Sequence, residues 1–587
     1  MDFFVKLSLD RNRDGLHLGF ETGPLTRTEF NKIYLVDHRS EDFHEIRFTE
    51  GVAVFLGDPV FHGGDREELI ADLGKGDIGS VIRKTDGFYF LAVIYERTGK
   101  LIISSGIFNI LPVFLSRSGD ALMLSSSFTV LRNNYGAGLL TDDRQYYVEK
   151  ALFNYPLFDR TPFREISLLP SNSYLEFVNS DFRISKHTFV HDYFTGAGES
   201  QRSSLVSLSD LFIENASDFI PEDRTALALT GGFDSRVIAG IAHHRGEVPE
   251  AYAYGSEGDP DILIASEISD FMGTRFIPVI LDGAYAKDYF WQNALRFMSK
   301  SHGLGNLSRA HYNYIPDNHL KGVGYHLSGN FGSELLRSMK VPGVVTSEAL
   351  FDIFAAGNTG ELSQKLLENP ALKYLNGQIT GKAISSLTTE ISEYLERLPE
   401  HLTVNQKFYT YMFEEVFRKY FGPEVGVQRT FLKPRTPFLS FRFIEELLKT
   451  DLAGANGHFR ESNPFKRFRG QILYAHILNR IYPELAEFRL DRGYRPKDLM
   501  APRGYLNITY GYLKRKYSGS SEDDTPDYLN LSLAQNISEF HKFKPDEAIF
   551  DAPYIKRKTE GDWVTDQMNF VNIMSAVIYS NILREKV

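Results

Sequence analysis

The rhythm of apolar and polar positions changes near residue 200. Before that point, short apolar runs are separated by Gly, Asn and Asp. Val52-Ala53-Val54-Phe55-Leu56 ends at the turn signal Gly57-Asp58-Pro59. Phe88-Tyr89-Phe90-Leu91-Ala92-Val93-Ile94-Tyr95 is a long aromatic and β-branched run. Leu101-Ile102-Ile103, Val113-Phe114-Leu115 and Ala121-Leu122-Met123-Leu124 follow it. This spacing predicts antiparallel hairpins, with helices over 66–73 and 142–153. After residue 200, strand-like runs alternate with helical patterns. Leu227-Ala228-Leu229, Ala251-Tyr252-Ala253-Tyr254 and residues 276–280 read as strands. One helix starts near Ser235; another, over 261–272, has Ile262, Ala265, Ile268 and Phe271 as its apolar positions. The alternation predicts a parallel, doubly wound sheet. Helices dominate from residue 345. Residues 518–527 (SGSSEDDTPD) read as an acidic surface loop, and 562–583 as an apolar helix docked on the body.

Composition narrows the picture. At 587 residues, the chain is expected to hold several domains. Its net charge of −11 argues against a large nucleic-acid footprint. No run approaches the roughly 18 apolar residues that cross a bilayer. The start, Met1-Asp2-Phe3-Phe4-Val5-Lys6-Leu7, has no secretory pattern, so a cytoplasmic location is expected. The chain contains no cysteine, which excludes disulfides, thiolate nucleophiles and Cys-ligated metals.

Chemistry concentrates at Thr230-Gly231-Gly232-Phe233-Asp234-Ser235-Arg236, between a strand and a helix. Adjacent glycines let the backbone approach an anion, and the helix presents its positive end. Thr230 and Ser235 add hydroxyls. Asp234 suits Mg²⁺ held by phosphates. The string matches neither GxxxxGK[ST] nor GxGxxG.

Residues 226–236 (ALALTGGFDSR) resemble the SGGxDS pyrophosphate loop of N-type ATP pyrophosphatases, with Thr230 at the first Ser. Further stretches resemble the asparagine synthetase family, whose relatives include β-lactam synthetases and lasso-peptide cyclases. They are Tyr254-Gly255-Ser256 with Pro260-Asp261, residues 327–335 (LSGNFGSEL, like SGEGADEL), Arg435-Thr436-Pro437-Phe438-Leu439 (like RxPFLD) and 489–494 (RLDRGY, like RxKxGF). More weakly, Asp86-Gly87-Phe88-Tyr89-Phe90, Pro112-Val113-Phe114-Leu115 and residues 161–170 resemble its amidotransferase part.

The resemblance implies an α/β protein. An N-terminal αββα N-terminal-hydrolase-like sandwich (1–190) would be a degenerate glutamine-amidotransferase-like domain. A doubly wound parallel-sheet ATP-pyrophosphatase domain (200–510) would form the synthetase, with a helical C-terminal part. Residues 511–587 would add an acidic loop and a helical extension packed on the synthetase domain. The implied substrates and cofactors are ATP, Mg²⁺ and small-molecule or peptide carboxylates and amines. No nucleic acid or membrane is expected, and a homodimer is the candidate assembly.

By that resemblance Thr230, Gly231, Gly232 and Ser235 cradle pyrophosphate, and Asp234 holds Mg²⁺. Leu229 and Tyr254 flank the adenosine, and Ser328 and Gly329 approach the nucleotide and the activated carboxylate. The sequence departs from the family at three places. Glutamine-hydrolysing members begin Met-Cys, where this chain has Asp2. Ser333 and Asn330 replace acids, leaving Glu334 as the candidate metal ligand or a mere helix-start acid. Asp491 occupies the position of the family's Lys, leaving Arg492, Arg495 and Lys497 as replacement cations. Arg435 reads equally as a substrate ligand or a carboxylate's structural partner. His243 and His244 read as structural. Three functions follow: an AMP-forming amide synthetase without its own glutaminase, an asparagine synthase-type aspartate amidation with ammonia, or an inactive nucleotide-binding scaffold.

Overall fold

A computed structural model describes residues 2–10, 20–22, 29–36, 42–63, 65–194, 201–339, 345–467, 469–517 and 527–584. In chain order the first strands are β1 (Asp2–Ser8), β2 (Phe20–Thr22), β3 (Lys32–Val36), β4 (Phe43–Phe48), β5 (Gly51–Phe61) and β6 (Thr85–Tyr95). Then come β7 (Lys100–Ser105), β8 (Phe114–Ser118), β9 (Ala121–Ser125), β10 (Ile166–Leu168), β11 (Ser173–Val178) and β12 (Asp181–Lys186). They form two sheets, ordered β10-β8-β9-β1-β3-β2 and β12-β11-β7-β6-β5-β4. All their pairings are antiparallel except the short β2–β3 pair.

Strand alternation builds the layers. Phe3, Val5 and Leu7 of β1 join the main core, and the Phe3 ring meets Phe90 of the other sheet at 5.3 Å. Phe4, one residue along, points the other way into a second cluster with Phe114, Met123 and Phe128. Helix α1 (Asp65–Lys75) and α2 (Ile78–Lys84) cover the second sheet, and α3 (Phe128–Tyr135) covers the first. The sandwich is therefore mixed α/β with two facing sheets. Helix α4 (Arg144–Phe153) is buried along its length and leads toward the rest of the chain.

The turn expected at Gly57-Asp58-Pro59 does not form. β5 runs through it, with Pro59 opposite Gly87. The register explains this. β4 pairs only as far as Leu56, so Pro59 sits where β5 has a single neighbour and its missing N–H breaks no ladder. Gly57 takes φ +131, and a Cβ there would stand 2.6 Å from the Phe88 carbonyl oxygen. Asp58 is then free to point out of the sandwich. β1 and β3, which carry no turn-bounded pattern, were not anticipated as strands.

After α5 (Gln201–Asp218) the second unit begins. Its strands are β13 (Thr225–Ala228), β14 (Glu250–Gly255), β15 (Phe276–Ile280), β16 (Tyr325–Leu327) and β17 (Lys433–Arg435). They form one sheet ordered β15-β14-β13-β16-β17, parallel throughout. The order runs outward from β13 to β15, then returns to the other side at β16. That reversal leaves a crevice at the carboxyl ends of β13 and β16. Helices α6 (Asp234–His244) and α7 (Pro260–Met272) supply the first two crossovers. α8 (Phe290–Lys300) and α9 (His311–His319) lie on the return path. Of the apolar positions expected on α7, Ile262, Ala265 and Ile268 are buried, whereas Phe271 is 48% exposed. It rests against Tyr482 and Phe488 at the surface.

The two units share a polar, largely buried interface. Arg418 and Lys419 donate to the carbonyls of Leu169, Phe158 and Pro156. His62 bridges Asp86 at 2.7 Å and Asp218 at 2.8 Å. The terminal helix Gln567–Arg584 is mostly buried. It packs against α4 of the sandwich as well as α8, not on the second unit alone. The core of the acidic segment, 518–526, lies outside the described residues. Among the described residues no helix is long and apolar enough to cross a membrane.

Candidate active site

β13 delivers Leu229 and the glycine turn to the crevice, and α6 begins at Asp234. The turn is held by its own polar groups. Thr230 N–H donates to Ser235 Oγ at 3.0 Å, and the Thr230 and Ser235 hydroxyls meet at 3.1 Å. Gly232 N–H reaches Thr230 Oγ1 at 3.3 Å. Gly231 N–H donates to Asp261 Oδ1 at 2.8 Å, from the first turn of α7. Burial raises the Asp261 carboxyl above its usual range, and the Gly231 amide opposes that shift. So Gly231 contributes shape and close packing. A Cβ there would stand 2.9 Å from Ile264 Cδ1 and 3.0 Å from the Asp261 carboxylate.

The return strand closes on this turn. Beyond β16, Ser328 is buried and its N–H bonds the Arg435 carbonyl at 3.1 Å. A Cβ on Gly329 would stand 2.8 Å from Asp234 Cβ and 2.9 Å from Ser235 N. The glycine is required because two backbones touch there. Helix α10 (Gly332–Leu336) follows. Its Ser333 hydroxyl donates to Asp234 Oδ2 at 2.7 Å.

Asp234 is the centre of the site. Its Oδ1 is buried and has no hydrogen-bond partner. Burial pushes the carboxyl up, against the Ser333 and Tyr474 hydroxyls and the charges of Arg337 and Arg492, which hold it down. Glu334 faces Arg337 and Asp234. Burial pushes it up to about 7, with Arg337 pulling it down and Asp234 raising it. Asp234, with one oxygen unmet, and Glu334 beside it are the carboxylates that could hold a hard divalent ion together with phosphate and water ligands. Among the described residues no group of three or more His, Asp or Glu forms a metal cage.

Of the replacement cations, Arg495 and Lys497 both pair with Glu487. Arg492 instead bonds Gln471 Oε1 at 3.3 Å and acts electrostatically on Asp234 and Arg337. Asp491 lies on the turn itself, its N–H bonding the Gly231 carbonyl at 3.3 Å. Tyr254 is the penultimate residue of β14, its ring 4.6 Å from His311. Leu229 is buried, and its N–H bonds the Tyr252 carbonyl at 2.9 Å. Both therefore sit beside the crevice, Leu229 offering main chain rather than side chain.

Arg435 is not in this site. It forms a bidentate pair with Asp58 of the sandwich, at 2.6 and 2.9 Å, above the Tyr325 ring. His243 stacks on Tyr482 at 4.0 Å, as a structural residue would. Three further contributors have contacts that the sequence does not show. Arg236, fully buried, donates to the carbonyls of Gly231, Phe488 and Arg489, tying the 489–494 segment to the turn. Tyr474 sets its ring against Phe233, with its hydroxyl beside Asp234. Asn330 bonds Glu424, which pairs with Arg309 at 2.9 Å. Arg236 and Asn330 are visible in the sequence as motif positions, whereas Tyr474 carries no signal there.

No family model and no curated protein sequence matches the chain. Among solved structures, a glutamine phosphoribosylpyrophosphate (PRPP) amidotransferase from B. subtilis, complexed with ADP and GMP, is 9% identical with a TM-score of 0.14. The match covers 40% of this chain and 47% of that chain, so this chain spans less than half of that structure's length. At that level the likeness carries no argument about the site.

Proposed function

We propose that the chain is an ATP-dependent amide synthetase of the asparagine-synthetase type, forming AMP and pyrophosphate and lacking its own glutaminase. The observation that carries this reading is the strand–TGGFDS–helix turn at the sheet's topological switch point, with Gly329 pressed against it. A substrate carboxylate attacks the α-phosphorus of ATP. The bond to pyrophosphate breaks, and an acyl-adenylate forms. An amine then attacks the acyl carbon, loses a proton and expels AMP. The protein's work is positioning and charge neutralisation. Thr230 and Ser235 would turn their hydroxyls from each other to the leaving pyrophosphate, freeing the Gly232 and Thr230 amides. Arg492 would neutralise the charge that builds there. Asp234 and Glu334 would hold Mg²⁺, which supplies Lewis-acid neutralisation of the phosphates. Asp2 in place of a nucleophilic Cys supports an amine taken from free ammonia, a second substrate or the substrate itself.

A second reading is nucleotide binding without turnover. The Ser333–Asp234 bond and Asp491 on the turn favour it. Incubation with ATP·Mg²⁺ and a panel of carboxylates, followed by pyrophosphate release, separates the two. The synthetase reading expects release that Asp234→Ala abolishes and glutamine alone does not provoke. ATP binding without AMP formation on any acid, or full turnover in Asp234→Ala, would overturn it.

A further inference from the structure

The helix Gly504–Tyr517 has two unlike faces. Gly504 and Gly511 are buried and face inward; a Cβ on Gly511 would stand 3.1 Å from the Arg492 carbonyl oxygen. The outer face carries Leu506, Tyr510 and Leu513, spaced to form one stripe. They are 74%, 70% and 42% exposed. Tyr505, also exposed, sets its ring 5.7 Å from exposed Phe465, and exposed Met500 lies just before the helix. A contiguous apolar face of this kind on a soluble-type surface marks an interaction site. Its rim is basic. Lys466, Arg503 and Lys514 are exposed and have no ion-pair partner among the described residues. Residues 460–516 hold 13 Lys and Arg against 5 Asp and Glu, in a chain whose net charge is −11.

We propose that this face seats the protein on an anionic lipid surface. Aliphatic and aromatic tips with a basic fringe, on one face of a helix lying flat, are what the headgroup–acyl boundary accepts. At 74% and 70% exposure, Leu506 and Tyr510 stand above their neighbours among the described residues, which makes the face convex there. A peptide partner needs a groove or a free strand edge, and a convex helix offers neither. A second copy would bring two basic rims together across a two-fold interface, which like charges oppose. The contact is peripheral, in keeping with the lack of any spanning helix among the described residues. Because Gly511 abuts the Arg492 main chain, the attachment would hold the candidate active site near the surface.

The test is co-sedimentation of the full chain with vesicles of phosphatidylcholine plus phosphatidylserine, against phosphatidylcholine alone. The expected bound fraction is about tenfold higher on the anionic vesicles and falls as salt rises. The variant Leu506→Ser with Tyr510→Ser, with unchanged circular dichroism and melting, is expected to lose about tenfold in binding. No binding to anionic vesicles, equal binding to neutral ones, or an unaffected variant would each overturn the proposal. So would self-association of the wild type that the variant abolishes, or capture by an acidic peptide in place of vesicles.

Discussion

The Asp58–Arg435 pair offers the sharpest test of how the two units are joined. Arg435 Nε and the guanidinium's other donor reach Asp58 at 2.6 and 2.9 Å, and the side chains are 12% and 9% exposed. Arg435 also bonds the Phe219 carbonyl at 3.3 Å and lies 4.6 Å from the Tyr325 ring centre. Replacing Arg435 with Met leaves the Asp58 carboxylate buried and unpaired. Breaking a buried pair in this way costs about 3–5 kcal/mol. Asp58→Asn keeps an acceptor for one donor and leaves Arg435 its carbonyl and its ring, so a smaller loss of about 1–3 kcal/mol is expected. The double variant should be less destabilised than the two singles added together, because the orphaned charge disappears with its partner. Urea midpoints for the four proteins, with ATP affinity measured in parallel, decide the matter. Stability should follow this ladder while ATP affinity stays near wild type in the double variant. An Arg435→Met protein as stable as wild type but impaired in ligand binding would refute the reasoning and return Arg435 to a substrate role.

Two further predictions concern the site and the interface. Gly329→Ala adds a methyl 2.8 Å from Asp234 Cβ and 2.9 Å from Ser235 N. Both neighbours are at the turn's backbone and cannot swing away, so a cost of about 1–3 kcal/mol is expected, seen as a lower melting point and weaker ATP binding; unchanged ATP affinity would contradict the close approach. His62 is desolvated by burial, but Asp86 and Asp218 overcome this and raise it to about 9. A raised His contributes stability fully present below its unfolded value near 6.5, and loses it as pH rises through about 9. The loss is on the order of 3 kcal/mol, and urea midpoints across that window should flatten in His62→Gln; parallel wild-type and variant profiles would count against the clamp.

Much of the architecture was legible in the residues. The change of rhythm near residue 200 separates the sandwich from the parallel sheet, because period-two runs and alternating strand–helix runs bury different faces. The TGGFDS turn was legible because the whole string, hydroxyls and acid included, falls between a strand and a helix, whereas the glycine pair alone would only permit a tight turn. Other positions misled. Gly57-Asp58-Pro59 has turn chemistry, yet forms a strand because its neighbouring strand ends at Leu56. Phe271 has helical core spacing, yet sits at the rim beside Tyr482 and Phe488. Local pattern does not encode where a sheet stops.

The sequence by itself determined most of the element types, the glycine turn and the absence of a thiol. These depend on single residues and short spacings. Only the tertiary structure decided which cations and carboxylates meet. Arg495 and Lys497 go to Glu487, Arg435 goes to Asp58, and Arg492 bonds Gln471 while its charge acts on Asp234. Ser333, and not Glu334, bonds Asp234. The physical reason is that a charge's role is set by its nearest partner and its burial, and both come from chain segments tens to hundreds of residues away.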